Sequence, residues 1–141
     1  MPVLFITDTA ATNEAMAGVF GKDYGELMQF VQRHQLQAMK FVAFYRTTHQ
    51  PWLIDVAVEV NQMPAELNGR IQSRVQKGGK VMIAHIWGPY NQVGKAYLEI
   101  QKWLKENNQK AREAPFEVYV NDPSAVKDPS KIQTDVYQPI E

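Results

Sequence analysis

The feature that most constrains this chain is that it repeats itself. Tyr24 to Val31 reads Tyr-Gly-Glu-Leu-Met-Gln-Phe-Val, and Tyr97 to Leu104 reads Tyr-Leu-Glu-Ile-Gln-Lys-Trp-Leu, which pairs Tyr24 with Tyr97, Glu26 with Glu99 and Phe30 with Trp103. At nearly the same offset downstream, Val42, Ala43 and Tyr45 pair with Phe116, Glu117 and Tyr119. Further on, Ile54-Asp55-Val56 pairs with Thr134-Asp135-Val136 once a longer second loop is allowed for. Two similar units must fold by similar rules, so the reading of one half tests the other.

Each half reads strand, helix, strand, strand. Val3 to Thr7 is a short apolar strand before a polar break at Asp8 to Asn13, and Tyr24, Leu27, Phe30 and Val31 then recur at helical spacing. Phe41 to Tyr45 and Trp52 to Val60 form a hairpin parted by Thr47 to Pro51, and Arg70 to Val75 is a further extended piece. Gly78-Gly79 turns the chain into Val81 to Trp87, which is apolar on both faces and reads as a central strand. Gly88-Pro89-Tyr90 opens a second helix with Val93, Ala96, Tyr97, Ile100, Trp103 and Leu104 inside. Phe116 to Val120 and Ile132 to Gln138 close the half, parted by a loop with two Asp-Pro steps.

The expected fold is therefore α+β: one domain over residues 1–141, built of two β-α-β-β repeats (1–60 and 69–141) with pseudo-two-fold symmetry and an antiparallel sheet. A β-α-β-β unit covers one sheet face with its helix, so helices on one face leave the other face of both repeats to enclose a ligand cavity between them.

Composition removes whole classes of function. With 15 Lys+Arg against 15 Asp+Glu, no basic field exists to hold a phosphate backbone, so direct nucleic acid binding is not expected. The absence of cysteine rules out disulfides, thiolate zinc sites and cysteine nucleophiles, and suits the cytoplasm. No stretch approaches a membrane span or a secretion signal. His34, His49 and His85 are scattered without carboxylates at ligand spacing, so no metal is expected. Neither Gly78-Gly79 nor Gly88-Pro89 has a phosphate-loop or dinucleotide pattern, no serine sits in a nucleophile elbow, and no cofactor is expected.

Strand alternation nominates the site. If Phe116 and Val118 face the helix as Val42 and Phe44 do, Glu117 and Tyr119 face the cavity, together with Ala43 and Tyr45. A carboxylate on an apolar face is costly unless it is paired. A cationic ligand supplies that partner, and aromatic faces add about 0.5–2 kcal/mol each. A solvated glutamate, paired with a loop lysine, is the plainer alternative. Tyr137 shares a face with Asp135 and is a third candidate wall, or else covers the sheet edge. His85 and Trp87 alternate with a set lying under the helix and line the mouth, unless they merely pack. Trp52, beside Pro51, closes one end or makes a surface or dimer contact.

The run Ala114-Pro-Phe-Glu-Val-Tyr-Val-Asn-Asp-Pro123, with Gly88-Pro-Tyr90 and a helix ending in Trp103-Leu104, resembles the GyrI-like small-molecule-binding family, to which the effector-binding domains of multidrug-responsive transcription regulators belong. The resemblance covers nearly the whole chain. It implies that Glu117 and Tyr119 meet cationic, aromatic drugs, with Tyr45 and Tyr137 added by the repeat. No DNA-binding segment is expected ahead of the domain, so direct gene regulation by this polypeptide is not implied.

The function expected is thus a stand-alone module, not an enzyme, that binds small lipophilic cationic aromatic compounds with Glu117 as counter-charge. The resemblance leaves two alternatives open: hydrolysis of strained electrophilic compounds by the same glutamate, and inhibition of a protein partner such as a topoisomerase. Whether the chain forms a homodimer also stays open.

Overall fold

The computed structural model describes residues 1–89, 92–121 and 127–141. The expected helix opening at Tyr90 and the Asp122-Pro123 end of the motif lie outside the described residues. The chain divides into two compact units, Met1–Lys77 and Gly78–Glu141.

The first unit runs β1 (Pro2–Ala10), α1 (Asn13–Arg33), β2 (Ala38–Tyr45), β3 (Trp52–Val60) and β4 (Gln72–Val75). Its strands are ordered β4-β1-β3-β2, each pair antiparallel. The second unit runs β5 (Val81–Trp87), α2 (Val93–Glu106), β6 (Phe116–Tyr119) and β7 (Gln133–Pro139), ordered β6-β7-β5 and again antiparallel. In both units the strand that follows the hairpin turn, β3 or β7, lies between the other two members of its β-α-β-β motif.

α1 begins well before the Tyr24 periodicity. Thr12 caps it, its hydroxyl accepting from the Ala15 amide at 3.3 Å, and Glu14 in the first turn suits the positive end of the helix dipole. Residues 13–22 are mostly exposed, so no apolar stripe announces them; the cap was the available signal. Both helices end alike. Gln35 (φ 54°) and Asn108 (φ 53°) take the left-handed conformation, and the Leu36 and Gln109 amides reach back to the Val31 and Leu104 carbonyls at 2.9 Å.

α1 buries Leu27, Phe30 and Val31 on the sheet face that carries Leu4, Ile6, Ala43, Val56 and Val58. Each such side chain contributes about 1.5–3 kcal/mol on leaving water. Tyr24 meets the Phe41 ring edge-on at 5.3 Å on that same face. α2 places Val93, Ala96, Ile100 and Leu104 against Val136 and Ile140, with Met82, Ala84, Ile86, Tyr97 and Trp103 around them. No helix among the described residues is long and apolar enough to cross a membrane.

Two expectations are corrected. Residues 69–77 do not open the second repeat: β4 pairs with β1 and belongs to the first unit. Nor is Val81 to Trp87 central, because β5 pairs with β7 and forms one edge of its unit's sheet. Its Met82, Ala84 and Ile86 face α2 as expected, but Val81, His85 and Trp87 on the other side are exposed.

Candidate functional site

Side chains directly opposite each other in an antiparallel pair point to the same side. Glu117 is opposite Val136, and Val136 is part of the α2 core. Glu117 therefore faces α2, not the side turned away from it. Glu117 is 7% exposed, and its carboxyl group receives two hydroxyls: Tyr97 from α2 donates to Oε2 at 2.7 Å, and Tyr119 from β6 donates to Oε1 at 2.9 Å. Such O–H donors, one at each oxygen, complement a negative carboxylate.

The face assignment failed because burial does not alternate along β6. Phe116, Glu117 and Val118 are all buried, so the strand has no solvent side from which to infer the other. Phe116 and Val118 lie opposite Tyr137 and Asp135, on the side away from α2, and the Phe116 and Tyr137 rings stack obliquely at 5.3 Å. Ala43 and Tyr45, opposite Val56 and Ile54, also lie on the helix side of their own unit's sheet.

His85 and Trp87 share the far side with Tyr137, opposite Asp135 and Gln133 of β7. The His85 Nδ1 meets Asp135 Oδ1 at 2.8 Å, and Gln133 donates to the same oxygen at 3.1 Å. Within the second unit, Glu117 and Tyr119 thus stand on one sheet face and His85, Trp87 and Tyr137 on the other. In the first unit, Tyr45 and Trp52 meet edge-on at 5.8 Å near the start of α1; the Tyr45 hydroxyl reaches Met16 Sδ at 3.5 Å and the Trp52 indole N–H donates to Asn13 Oδ1 at 2.7 Å.

Sequence reasoning put Tyr97 in the helix core and missed its hydroxyl. The repeat held the signal. Tyr24, its counterpart, donates to the Val42 carbonyl at 2.7 Å, next to Ala43, which has no side-chain acceptor, whereas Glu117 at the matching position offers one.

The first unit also holds titratable groups outside the expected set. Asp23 on α1 is fully buried, and Arg70 bridges it to Asp8 and Glu26 at 2.8, 3.1 and 3.1 Å. Burial, together with a hydrogen bond to Asp8, pushes the Asp23 carboxyl up to about 6 against the pull of Arg70. In Asp8, burial is outweighed by hydrogen bonds from the Thr9 amide, Asp23, Arg70 and Lys22, which bring the carboxyl down to about 2. The two acids interact and so titrate as a pair, with the upper step on the Asp23 side near 6. Beside them, α1 and the segment before β4 enclose a groove of about 210 Å³ lined by Glu26, Phe30, Arg33, Asn68 and Ile71, which contains none of the expected site residues.

Comparison with known proteins assigns the family. EcmrR, seen in a cryo-EM structure of an EcmrR–DNA complex, superimposes with a TM-score of 0.84 at 17% identity over 99% of this chain and 53% of EcmrR. This chain therefore spans about half the length of EcmrR. The crystal structure of the EcmrR C-terminal domain matches with a TM-score of 0.77 at 16% identity, over 99% of this chain and 90% of that domain. A hydrolase from Listeria innocua matches with a TM-score of 0.67 at 11% identity, over 100% of this chain and 87% of the hydrolase. At these identities the likeness is one of fold. No curated protein sequence matches significantly. The family model for the GyrI-like small molecule binding domain matches residues 1–141, and the chain belongs to that family.

Proposed function

We propose that this protein binds small, lipophilic, cationic aromatic compounds, with Glu117 as the counter-charge and Tyr97 and Tyr119 as its supports. One observation carries the reading: a carboxylate removed from water is held at both oxygens by tyrosine hydroxyls, within a family of small-molecule-binding domains. A carboxylate so enclosed gains most from a partner that brings positive charge without a tight hydration shell, as delocalised organic cations do. Aromatic rings next to the charge add attraction to the ligand's faces.

Titration with a cationic rhodamine and a neutral dye of similar shape tests this. Wild type binds the cation in preference to the neutral dye, and Glu117→Gln weakens the cation by about 2 kcal/mol or more, the loss expected for a desolvated charge partner. Equal binding of both dyes, or an unchanged affinity in the variant, removes Glu117 from the role. The hydrolase among the structural neighbours motivates a second reading, in which the same glutamate promotes attack on a strained electrophile. Turnover of such a substrate, abolished by Glu117→Gln, would favour it over binding alone.

A further inference from the structure

The sheet face of the first unit turned away from α1 carries an arrangement unrelated to Glu117. Arg74 on β4 lies opposite Val3, so it shares a face with Phe5 of β1 and with Phe44 and Asp55, which lie opposite one another on β2 and β3. Its guanidinium carbon sits 4.6 Å from the centre of the Phe5 ring and 4.4 Å from that of Phe44. Its Nη1 donates to Asp55 Oδ2 at 3.0 Å. Two aromatic faces and a buried carboxylate around one planar cation are the components by which proteins recognise such cations.

We propose that this face is a binding site for a flat amidinium compound, which Arg74 occupies as a tethered stand-in and which a ligand enters by displacing it. Three features separate this from an arginine that merely fastens an edge strand. Arg74 is reachable, its side chain being 32% exposed on a four-residue strand at the sheet's edge. Asp55 does not depend on it, because the Arg46 Nε contacts both carboxylate oxygens at 2.9 and 3.0 Å and the Thr7 hydroxyl donates at 2.7 Å. The cage therefore keeps its charge balance when Arg74 swings out. Finally, the Arg74 Nε–H is buried with no acceptor. An untethered amidinium has no N–H at that position, so it makes the same stack and ion pair without burying an unmet donor.

The test follows the Arg74 Nε–H resonance of the isotope-labelled full chain during titration with benzamidinium, with benzamide as the neutral isostere and ionic strength held constant. The expected result is that benzamidinium moves the resonance saturably, from a position shifted by the two phenyl rings towards that of a free arginine, and that benzamide leaves it in place. Arg74→Gln, which removes the competitor, binds benzamidinium about ten-fold more tightly, equivalent to about 1.4 kcal/mol. Adding Phe44→Leu to that variant abolishes the gain. Glu117→Gln leaves the Arg74 response unchanged, which keeps this site distinct from the one proposed above. An Arg74 resonance unmoved by benzamidinium, or moved equally by benzamide, overturns the proposal, and the wild-type titration decides it alone if Arg74→Gln fails to fold.

Discussion

The Tyr97 hydroxyl on α2 donates a 2.7 Å hydrogen bond to Oε2 of Glu117 on β6, tying the helix to a buried carboxylate in the sheet beneath it. Removing that donor leaves a carboxylate oxygen short of one hydrogen bond in a place water reaches poorly. Tyr97→Phe should lower the unfolding free energy by about 1.5–3 kcal/mol, the range for hydrogen bonds to charged groups, as measured by urea denaturation. In a Glu117→Gln background the same change should cost less, because the charge it serves is gone.

The separation of the expected site residues onto two sheet faces predicts how ligand binding responds to each. Tyr119→Phe, which removes the second donor to Glu117, should weaken binding of a cationic rhodamine several-fold. Trp87→Ala and His85→Ala, on the opposite face of the same unit, should leave it within about two-fold, since surface changes without shared partners rarely exceed about 0.5 kcal/mol. Equilibrium titrations of the three variants check the assignment.

Acidity should report on Asp23. Its carboxyl titrates near 6 in the folded protein, above the ordinary value of 3.8, so the folded state keeps a proton that the unfolded chain releases. The stability this contributes is complete below about pH 4 and is lost as pH rises through 6. Asp8, held near 2, acts in the opposite sense: its contribution is present above 3.8 and is lost as pH falls towards 2. Denaturation curves across pH 4 to 7 should show the first decline in the wild type and a flattened one in Asp23→Asn.

The α2 stripe is tested by a paired substitution. Ile100 is 1% exposed within the core of the second unit, whereas Leu98 is 73% exposed. Ile100→Ala should cost about 2–5 kcal/mol by lost burial and the cavity left behind. Leu98→Ala should change stability by no more than about 0.5 kcal/mol. Thermal and urea unfolding measure both.

What the amino-acid sequence determined by itself was the local order of each half. Helical spacing of Leu27, Phe30 and Val31, and of Val93, Ala96, Ile100 and Leu104, together with the β-branched and aromatic runs, is enough to place strand, helix, strand, strand twice, because such periodicities are properties of neighbouring residues. The Pro-Phe-Glu-Val-Tyr run likewise nominates Glu117, whose role the dye titration tests. Tertiary structure decided which strands became neighbours and which way β6 turned. β5 reads as a central strand but lies at an edge, since strand order is set by long-range pairing and not by the apolar content of one strand. Glu117 faces α2 because Val136 opposite it does, and because tyrosine hydroxyls from the helix and from its own strand meet its charge. The stack of Arg74 on Phe5 and Phe44 joins three strands whose contributions are far apart in the chain, so no spacing within the sequence could have revealed it.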